Sequence, residues 1–330
     1  MKAFLFRGLI ATLLSPSLCV SQDTIRVTTA LTIVEVITLD PKTGLPVLNL
    51  KKQDFRVTDN GNEVPVATFD SGAHYGAQPV VIWFVVLCNE REKFGGSTEF
   101  VGRLNLFRPA LDHLDKTDTV GVARWCDNGE TKLDLLPTND RNKIIEVLAQ
   151  AIKPIAFIGG GRDADKVGEV TYRRMVRLII QDAQNRNPRP LPVLVFLDGD
   201  RTGQPLGELN QVVDDLLETS GIVFGIKDKH IPDLSPLANG EQEQISHYMA
   251  YHTGGQYFSV FSEDYATALD MIFVQLHFRY DLGFRPPSID DKRHRLNVEL
   301  TGQARADHKD IRLRYREEYI PVSEKPSWLK

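Results

Sequence analysis

Two apolar stretches decide the fold of this chain: VVIWFVVL at residues 80–87 and PVLVFL at residues 192–197. Neither stretch alternates with polar residues, so each predicts a strand that is buried on both faces, as in a mostly parallel sheet. Segments with helical periodicity alternate with further short apolar stretches between and after them. This alternation predicts a doubly wound α/β domain over residues 76–278.

Within that domain, two strands at 120–125 and 132–136 flank the turn sequence DNGE and predict a hairpin that adds one antiparallel edge strand. Further strands are expected at 222–226 and 256–260. Asn139 is a candidate N-cap for the helix at 141–152. The other expected helices cover residues 98–114, 167–183, 206–219, 241–252 and 266–278.

The two flanks of this domain have β character. Residues 22–72 alternate with period two, and a turn at Asp59–Asn62 predicts a hairpin between 55–58 and 64–69. Residues 279–320 contain three short strand patterns, at 280–284, 295–300 and 311–315. We expect the flanks to pack together as a small β-sandwich into which the α/β domain is inserted, with residues 321–330 as a tail.

The N-terminus has the layout of a secretory signal peptide over residues 1–21. Lys2 and Arg7 precede an apolar run at 8–14, and small residues surround an expected cleavage site after Ser21. The alternative is a buried N-terminal strand or helix. Cleavage predicts an exported chain, periplasmic or secreted, and no later stretch is apolar enough to predict a membrane span.

The net charge and the cysteine content argue against two classes of protein, nucleic-acid-binding proteins and small proteins held together by several disulfides. Losing the two basic leader residues lowers the formal net charge from −5 to −7, and an acidic surface argues against nucleic-acid binding. Only Cys88 and Cys126 remain after cleavage. Two cysteines cannot form a disulfide scaffold, although one bridge is feasible in an oxidising compartment.

Five motifs in order carry a resemblance to a known family: DPKTGLPV at 40–47, DFRVTDNG at 54–61, FLDGD at 196–200, TGGQYF at 253–258 and YDLGFRP at 280–286. Together they resemble a group of bacterial exported proteins related to the von Willebrand factor A domain. The resemblance covers nearly all of the mature chain. It implies the von Willebrand factor A fold, including a hairpin after the second strand of the sheet.

Members of that family often hold a divalent cation through an Asp-x-Ser-x-Ser loop, a Thr and a second Asp. In this chain the first loop is Leu87-Cys88-Asn89-Glu90-Arg91, without hydroxyl ligands, and Arg162 lies near the expected Thr. Only Asp198 is kept. Since Mg²⁺ prefers several oxygen ligands, the resemblance implies a degenerate metal site, and we expect neither a metal nor another cofactor.

Two features are candidates to replace the metal. Cys88 and Cys126 would lie at the carboxyl ends of adjacent strands, where they form either a disulfide or two separate buried thiols. Alternatively, Arg91 or Arg162 pairs with the carboxylates of Asp198 or Asp200 in the emptied site. Neither hypothesis excludes the other.

No other motif predicts an enzyme. Gly159–Gly161 lacks the rest of a phosphate-binding loop, and Asp198 and Asp200 lack a His, Ser or Cys that would complete a hydrolase. His247 and His252 are five residues apart, which places them on different faces of a helix and argues against zinc.

The sequence therefore predicts a non-enzymatic binding or assembly protein that holds another exported or cell-envelope protein. The expected contact lies on the loop face of the sheet, because doubly wound sheets bind ligands at the carboxyl ends of their strands. The alternatives are an exported metal-dependent hydrolase using Asp198 and Asp200, and a structural cell-envelope module acting through its β-sandwich. The candidate contact residues are Asn89, Glu90, Arg91, Arg162, Asp198, Asp200 and Thr202.

Overall fold

The computed structural model describes residues 31–72, 80–88, 107–126, 130–151, 164–186, 190–197, 203–229, 242–261, 264–322 and 328. Its strands are β1 (Thr32–Leu39), β2 (Phe55–Asp59), β3 (Asn62–Val64), β4 (Val66–Ser71), β5 (Val81–Cys88), β6 (Thr119–Cys126), β7 (Thr131–Thr138), β8 (Pro192–Leu197), β9 (Gly203–Pro205), β10 (Ile222–Asp228), β11 (Gln242–Gln244), β12 (Tyr257–Val260), β13 (Tyr280–Phe284), β14 (His294–Leu300), β15 (Arg312–Arg314) and β16 (Glu318–Tyr319).

Helix α1 covers the described residues 107–112. The other helices are α2 (Arg141–Ala151), α3 (Ala164–Asn185), α4 (Leu206–Leu217), α5 (Ile245–Thr253), α6 (Tyr265–His277) and α7 (Gly302–Asp307), with a short 3₁₀ turn at Lys52–Asp54. None of the helices in the described ranges is both long and apolar enough to cross a membrane.

A six-stranded sheet forms the centre of the molecule, in the order β12-β10-β8-β5-β6-β7. All neighbours are parallel except β7, which pairs antiparallel with β6 at one edge. The two stretches that predicted buried strands are β5 and β8, which lie side by side in the middle. The prediction of a doubly wound, mostly parallel sheet with one antiparallel edge strand is confirmed.

Helices cover both faces of this sheet, because alternate residues of each central strand point to opposite faces. Ile82 and Phe84 of β5 belong to a core shared with α1, α2 and α6. Trp83 and Val85 belong to a second core, shared with α3, α4 and α5. Residues Val81–Val86 of β5 thus bury their side chains against helices on both faces, which is why their sequence shows no polar alternation.

The TGGQYF motif is explained by backbone geometry where α5 meets β12. Gly254 ends the helix with a φ of +81°, a conformation that glycine adopts without strain. At Gly255 an added Cβ would lie 1.8 Å from the carbonyl oxygen of Val223 on the neighbouring strand β10. The two glycines therefore allow the chain to leave the helix and enter the sheet directly.

The flanks form two four-stranded sheets, in the orders β15-β1-β13-β4 and β16-β14-β2-β3. Each sheet combines strands from the N-terminal and C-terminal parts of the chain: β1 pairs with β13, and β2 pairs with β14. Val34, Val57, Leu282 and Val298 share one buried core between the two sheets. The six-stranded α/β domain is therefore inserted between the two halves of a β-sandwich.

The first hairpin differs from its prediction. Strands β2 and β3 pair around the turn at Asn60 and Gly61, with Val57 opposite Val64. The expected second strand is then interrupted after Val64, and β4 pairs with β13 in the other sheet. Pro65 lies at this switch between sheets, consistent with its lack of a backbone N–H for a ladder.

Two helix starts also differ from their predictions. Asn139 does not cap α2; instead Oδ1 of Asp140 accepts the backbone N–H groups of Asn142 and Lys143, each at 3.1 Å. Helix α5 begins at Ile245 rather than at 241, because residues Gln242–Gln244 form strand β11. This strand pairs antiparallel with β9. The pairing is a long-range contact that the local sequence pattern does not indicate.

Candidate functional site

The order of the central sheet reverses between β5 and β8, with β6 and β7 on one side and β10 and β12 on the other. In doubly wound sheets this switch point opens a crevice at the carboxyl ends of the strands. Val86 of β5 lies opposite Leu197, the last residue of β8. The two loops that carry most of the candidate contact residues therefore leave the same edge of the sheet at nearly the same level.

The candidate contact residues themselves lie outside the described part of the chain. These are Asn89, Glu90, Arg91, Arg162, Asp198, Asp200 and Thr202. The structure places the strands from which their loops depart, and their mutual geometry stays a prediction. The proposed pairing of Arg91 or Arg162 with Asp198 or Asp200 stays a prediction for the same reason.

A two-stranded ribbon is built on this edge, and the sequence did not predict it. Strand β9 directly precedes α4, and β11 directly precedes α5. The two strands pair antiparallel, with Gln204 opposite Glu243. The ribbon thereby links the connection that follows β8 to the connection that follows β10.

Cys88 and Cys126 occupy the last positions of β5 and β6 and are paired in register. Neighbouring strands lie roughly 4.8 Å apart, and disulfides join residues whose Cα atoms are about 4.4–6.8 Å apart. The backbone spacing is thus suitable for a bridge between these two residues, as expected from the sequence. Whether the sulfurs are bonded stays a prediction.

We expect no free thiol on these two cysteines after the chain has passed through an oxidising compartment, because such a compartment favours the bridge. The measurement is a thiol titration of the mature chain, denatured without reductant, with the reduced protein as the control. Two reactive thiols before reduction would contradict the bridge. The Cys126→Ser variant should show one thiol under both conditions, which calibrates the assay.

At the opposite, amino edge of the sheet lies the one group of potential metal ligands within the described ranges: Asp115, Asp118 and His277. Asp118 is buried, and Oδ1 accepts the N–H of Val80 at 2.9 Å. Oδ2 accepts the N–H of Asp115 and contacts Nε2 of His277, both at 2.8 Å. These bonds engage both oxygens, so the group ties the starts of β5 and β6 to the end of α6.

The electrostatics agree with that structural role. Burial raises the pKa of Asp118, but the hydrogen bonds from His277 and from the Val80 N–H outweigh burial, so the pKa lies below its usual value. A lowered pKa means that the ionised carboxylate is already stabilised by protein donors. A cation would have to displace these donors. The geometry therefore favours a structural link between β5, β6 and α6 over a metal site.

His247 and His252 contact different aromatic rings. The ring of His252 lies 4.4 Å from that of Tyr248, and the ring of His247 lies 5.2 Å from that of Tyr257. Burial lowers the pKa of His252. His247 and Tyr257 line an open cleft of about 430 Å³ between α5 and β15, with Arg314 on its other side.

No protein-family model matches the chain, and no curated protein matches it. Solved structures that are similar to it include the following three. An aerotolerance-related membrane protein from Bacteroides fragilis, with multiple mutations to serines, is 12% identical, and the match covers 59% of this chain and 98% of that chain at a TM-score of 0.40. BatB from Bacteroides thetaiotaomicron is also 12% identical, covering 60% of this chain and 97% of that chain at a TM-score of 0.38. A von Willebrand factor type A structure from Catenulispora acidiphila is 9% identical, covering 83% of this chain and 76% of that chain at a TM-score of 0.40.

Strand order decides the type of fold. Counted along the chain within the central sheet, the strands run in the order 3-2-1-4-5-6, which is a doubly wound arrangement. The third of them, β7, is antiparallel and forms a hairpin with the second, β6. This is the hairpin that the resemblance implied. The chain therefore consists of a von Willebrand factor A-like α/β domain inserted in a β-sandwich.

Proposed function

We propose that this chain is an exported, non-enzymatic binding module whose partner docks on the carboxyl edge of the six-stranded sheet without a bound metal. The partner is another exported or cell-envelope protein. The leader-like residues 1–21 support export, and the acidic net charge of the chain argues against a nucleic acid.

The observation that carries this proposal is the β9–β11 ribbon beside the switch point. The ribbon fixes Gly203–Pro205 and Gln242–Gln244 relative to one another, directly before α4 and α5. A surface that is ordered before binding loses less conformational entropy when a partner docks. The ribbon therefore favours this edge as a docking surface over one built from independent loops.

The sequence of the loops supports a metal-free surface. Asp198 is the one residue kept from the metal-binding pattern, and Arg91 and Arg162 introduce positive charge where ligands would be needed. A divalent cation held by one carboxylate beside guanidinium groups would be bound poorly. The same arginines could instead contact carboxylates of a protein partner directly.

Site-specific photo-cross-linking in cells that export the protein tests the docking surface. A photoreactive residue at position 91 or 200 should give a cross-linked product of one defined size. The matched controls are position 116, exposed at the amino edge of the sheet, and position 309, exposed on the β-sandwich. We expect no product from either control position.

Three other results, two from cross-linking and one from an activity assay, would contradict the proposal. Products from position 309 alone would support a structural module that acts through its β-sandwich. Hydrolysis of an ester, phosphate or peptide panel that is lost in Asp198→Asn would support the hydrolase alternative. A product that requires added Mg²⁺ and disappears with EDTA would contradict the metal-free surface.

A further inference from the structure

The open cleft of about 430 Å³ beside His247 lies where the α/β domain meets strand β15 of the β-sandwich, and we name it the α5–β15 cleft. One wall is formed by helix α5 and the start of β12, and the other by the chain from Arg312 to Tyr315. Gly254 and Gly255, which connect α5 to β12, also line it. Because this connection leads into the amino end of β12, the cleft lies at the sheet edge opposite to the one proposed for partner docking.

Strand β15 is the outermost strand of its sheet. It pairs with β1 on one side, and no strand within the described ranges pairs with its other side. Leu313 packs against the core of the β-sandwich, so Arg312 and Arg314 point the opposite way. Residues of both orientations line the cleft, which means that the backbone edge between them also borders it. An outer strand presents N–H and C=O groups that can pair with an added strand.

Arg312 and Arg314 give the cleft its positive charge. Arg312 is exposed, and Arg314 is partly buried, with Nη1 donating to the backbone oxygen of Gly255 at 2.8 Å. Burial lowers the pKa of Arg314, the charge of Arg312 lowers it further, and no carboxylate opposes the shift. Glu317 also lines the cleft, but among the described residues no ion pair joins a carboxylate to either arginine.

Other partly buried arginines of this chain do have carboxylate partners. Arg177 lies 2.8 Å from Asp215, and Arg293 lies 2.6 Å from Asp214. The two arginines of β15 instead stand two residues apart on one face of a strand, roughly 6.6 Å from each other along the chain. Like charges on neighbouring positions repel one another. This pair is therefore complementary to a ligand that carries two negative charges at the same spacing.

The opposite wall of the cleft is aromatic. Tyr251 of α5 is 66% exposed although its side chain is large. The rings of His247 and Tyr257 lie 5.2 Å apart and border the same space. Aromatic rings provide a large apolar contact surface. The cleft therefore offers contact area for side chains in addition to charge.

We propose that the α5–β15 cleft binds an extended, acidic segment of a partner protein, which adds as a strand to the outer edge of β15. Carboxylates on two alternate residues of this segment pair with Arg312 and Arg314. Alternate residues of a strand lie on one face at the spacing of the two arginines, and opposite charges on paired strands attract. Backbone pairing supplies affinity for any extended segment, and the arginines select an acidic one.

The test is fluorescence anisotropy of a labelled peptide, Thr-Val-Glu-Val-Glu-Val-Thr, titrated with the full mature chain. Valine and threonine favour the extended conformation. We expect saturable binding at one site per chain that weakens as salt is added. With both glutamates changed to glutamine, the peptide should bind at least about tenfold more weakly.

Two further peptides test the strand geometry. The isomer Thr-Val-Glu-Glu-Val-Val-Thr has the same composition, but its adjacent glutamates face opposite sides of a strand. It should bind about threefold more weakly, because one carboxylate loses its arginine. Methylating the backbone nitrogens of the two glutamates, or instead those of the flanking valines, should have unequal effects, because successive N–H groups point to opposite edges of a strand.

Three variants test the protein side. Arg312→Gln and Arg314→Gln should each weaken binding of the glutamate peptide about threefold, and the double variant should no longer distinguish it from the glutamine peptide. Arg285→Gln removes the same charge from an exposed position outside the cleft, so this matched control should bind as the unmodified chain does. Because Arg312 is exposed, its variant should melt at the unmodified temperature.

Four results would overturn the proposal. The first is no binding at millimolar chain concentration, and the second is equal binding of the glutamate and glutamine peptides. The third is an equal loss in Arg285→Gln, which would indicate unspecific charge attraction. The fourth is free glutarate that saturates the cleft and displaces the peptide at equal concentration, which would indicate a small-molecule site. Lys309, the cross-linking control, is not among the residues that line the cleft, so this proposal and the carboxyl-edge docking surface can fail independently.

Discussion

Replacing Trp83 with alanine is expected to lower the free energy of unfolding by about 4 kcal/mol, because it empties a large volume in a close-packed core. Trp83 lies in the middle of β5, the central strand, and is 0% exposed. Its indole packs in the core shared with α3, α4 and α5. Urea denaturation followed by circular dichroism would measure the loss.

The effects on stability of substituting Trp83 and Gly121 should depend on each other, because Gly121 is the register partner of Trp83 on β6. A Cβ on Gly121 would lie 2.6 Å from Cε3 of Trp83, so Gly121→Ala should cost about 1–3 kcal/mol by overpacking. In a Trp83→Leu background the added methyl has room, and the cost of Gly121→Ala should shrink. A double-mutant cycle measures this difference, and strictly additive losses would contradict the contact.

Trp83→Phe is the matched control for this pair. The indole Nε1 of Trp83 has no hydrogen-bond partner in the described ranges, and a buried donor without an acceptor is unfavourable. Phenylalanine keeps an aromatic ring and removes that donor, so its cost should be much smaller than that of alanine. A loss as large as that of alanine would mean that the N–H has a partner.

The sequence was sufficient for the central sheet because burial on both faces leaves a local pattern. Strands β8 and β13 have the predicted bounds, 192–197 and 280–284. The differences arise where a long-range contact overrides a local preference. Residues Gln242–Gln244 have a helical pattern but pair with β9, and the strand expected at 64–69 is divided at Pro65 between two sheets.

The docking surface and a cavity between the two domains also differ in whether a local sequence pattern indicates them. The sequence alone suggested the proposed docking surface, because its candidate residues follow directly after recognisable strands such as β5 and β8. The cavity between the two domains, lined by Glu35, Gln184 and Arg316, could not be predicted, because these residues lie far apart in the chain and belong to no shared motif. Each is an ordinary polar residue in its own segment, and only the packing of the two domains brings them together.

Glu35→Gln is expected to stabilise the protein at about pH 8 by about 3 kcal/mol and to leave it unchanged near about pH 4. Burial raises the pKa of Glu35 from 4.5 to about 7 in the folded protein, although Arg316 and Arg279 oppose the rise and Asp281 adds to it. The folded state thus binds this proton more tightly than the unfolded state. The stability of the unmodified chain should fall as the pH rises from about 4.5 to about 7 and then level off.

Glutamine has the shape of the protonated acid but does not ionise, so the variant should lose most of this pH dependence. Some should remain, because burial also raises the pKa of Asp281 despite its pairing with Arg279. Urea midpoints across this pH range provide the measurement, with the exposed acid Glu63, changed to Gln, as the matched control. If Glu35→Gln destabilises the protein at alkaline pH, the attraction between the ionised carboxylate of Glu35 and Arg316 must outweigh the free-energy cost of burying that carboxylate.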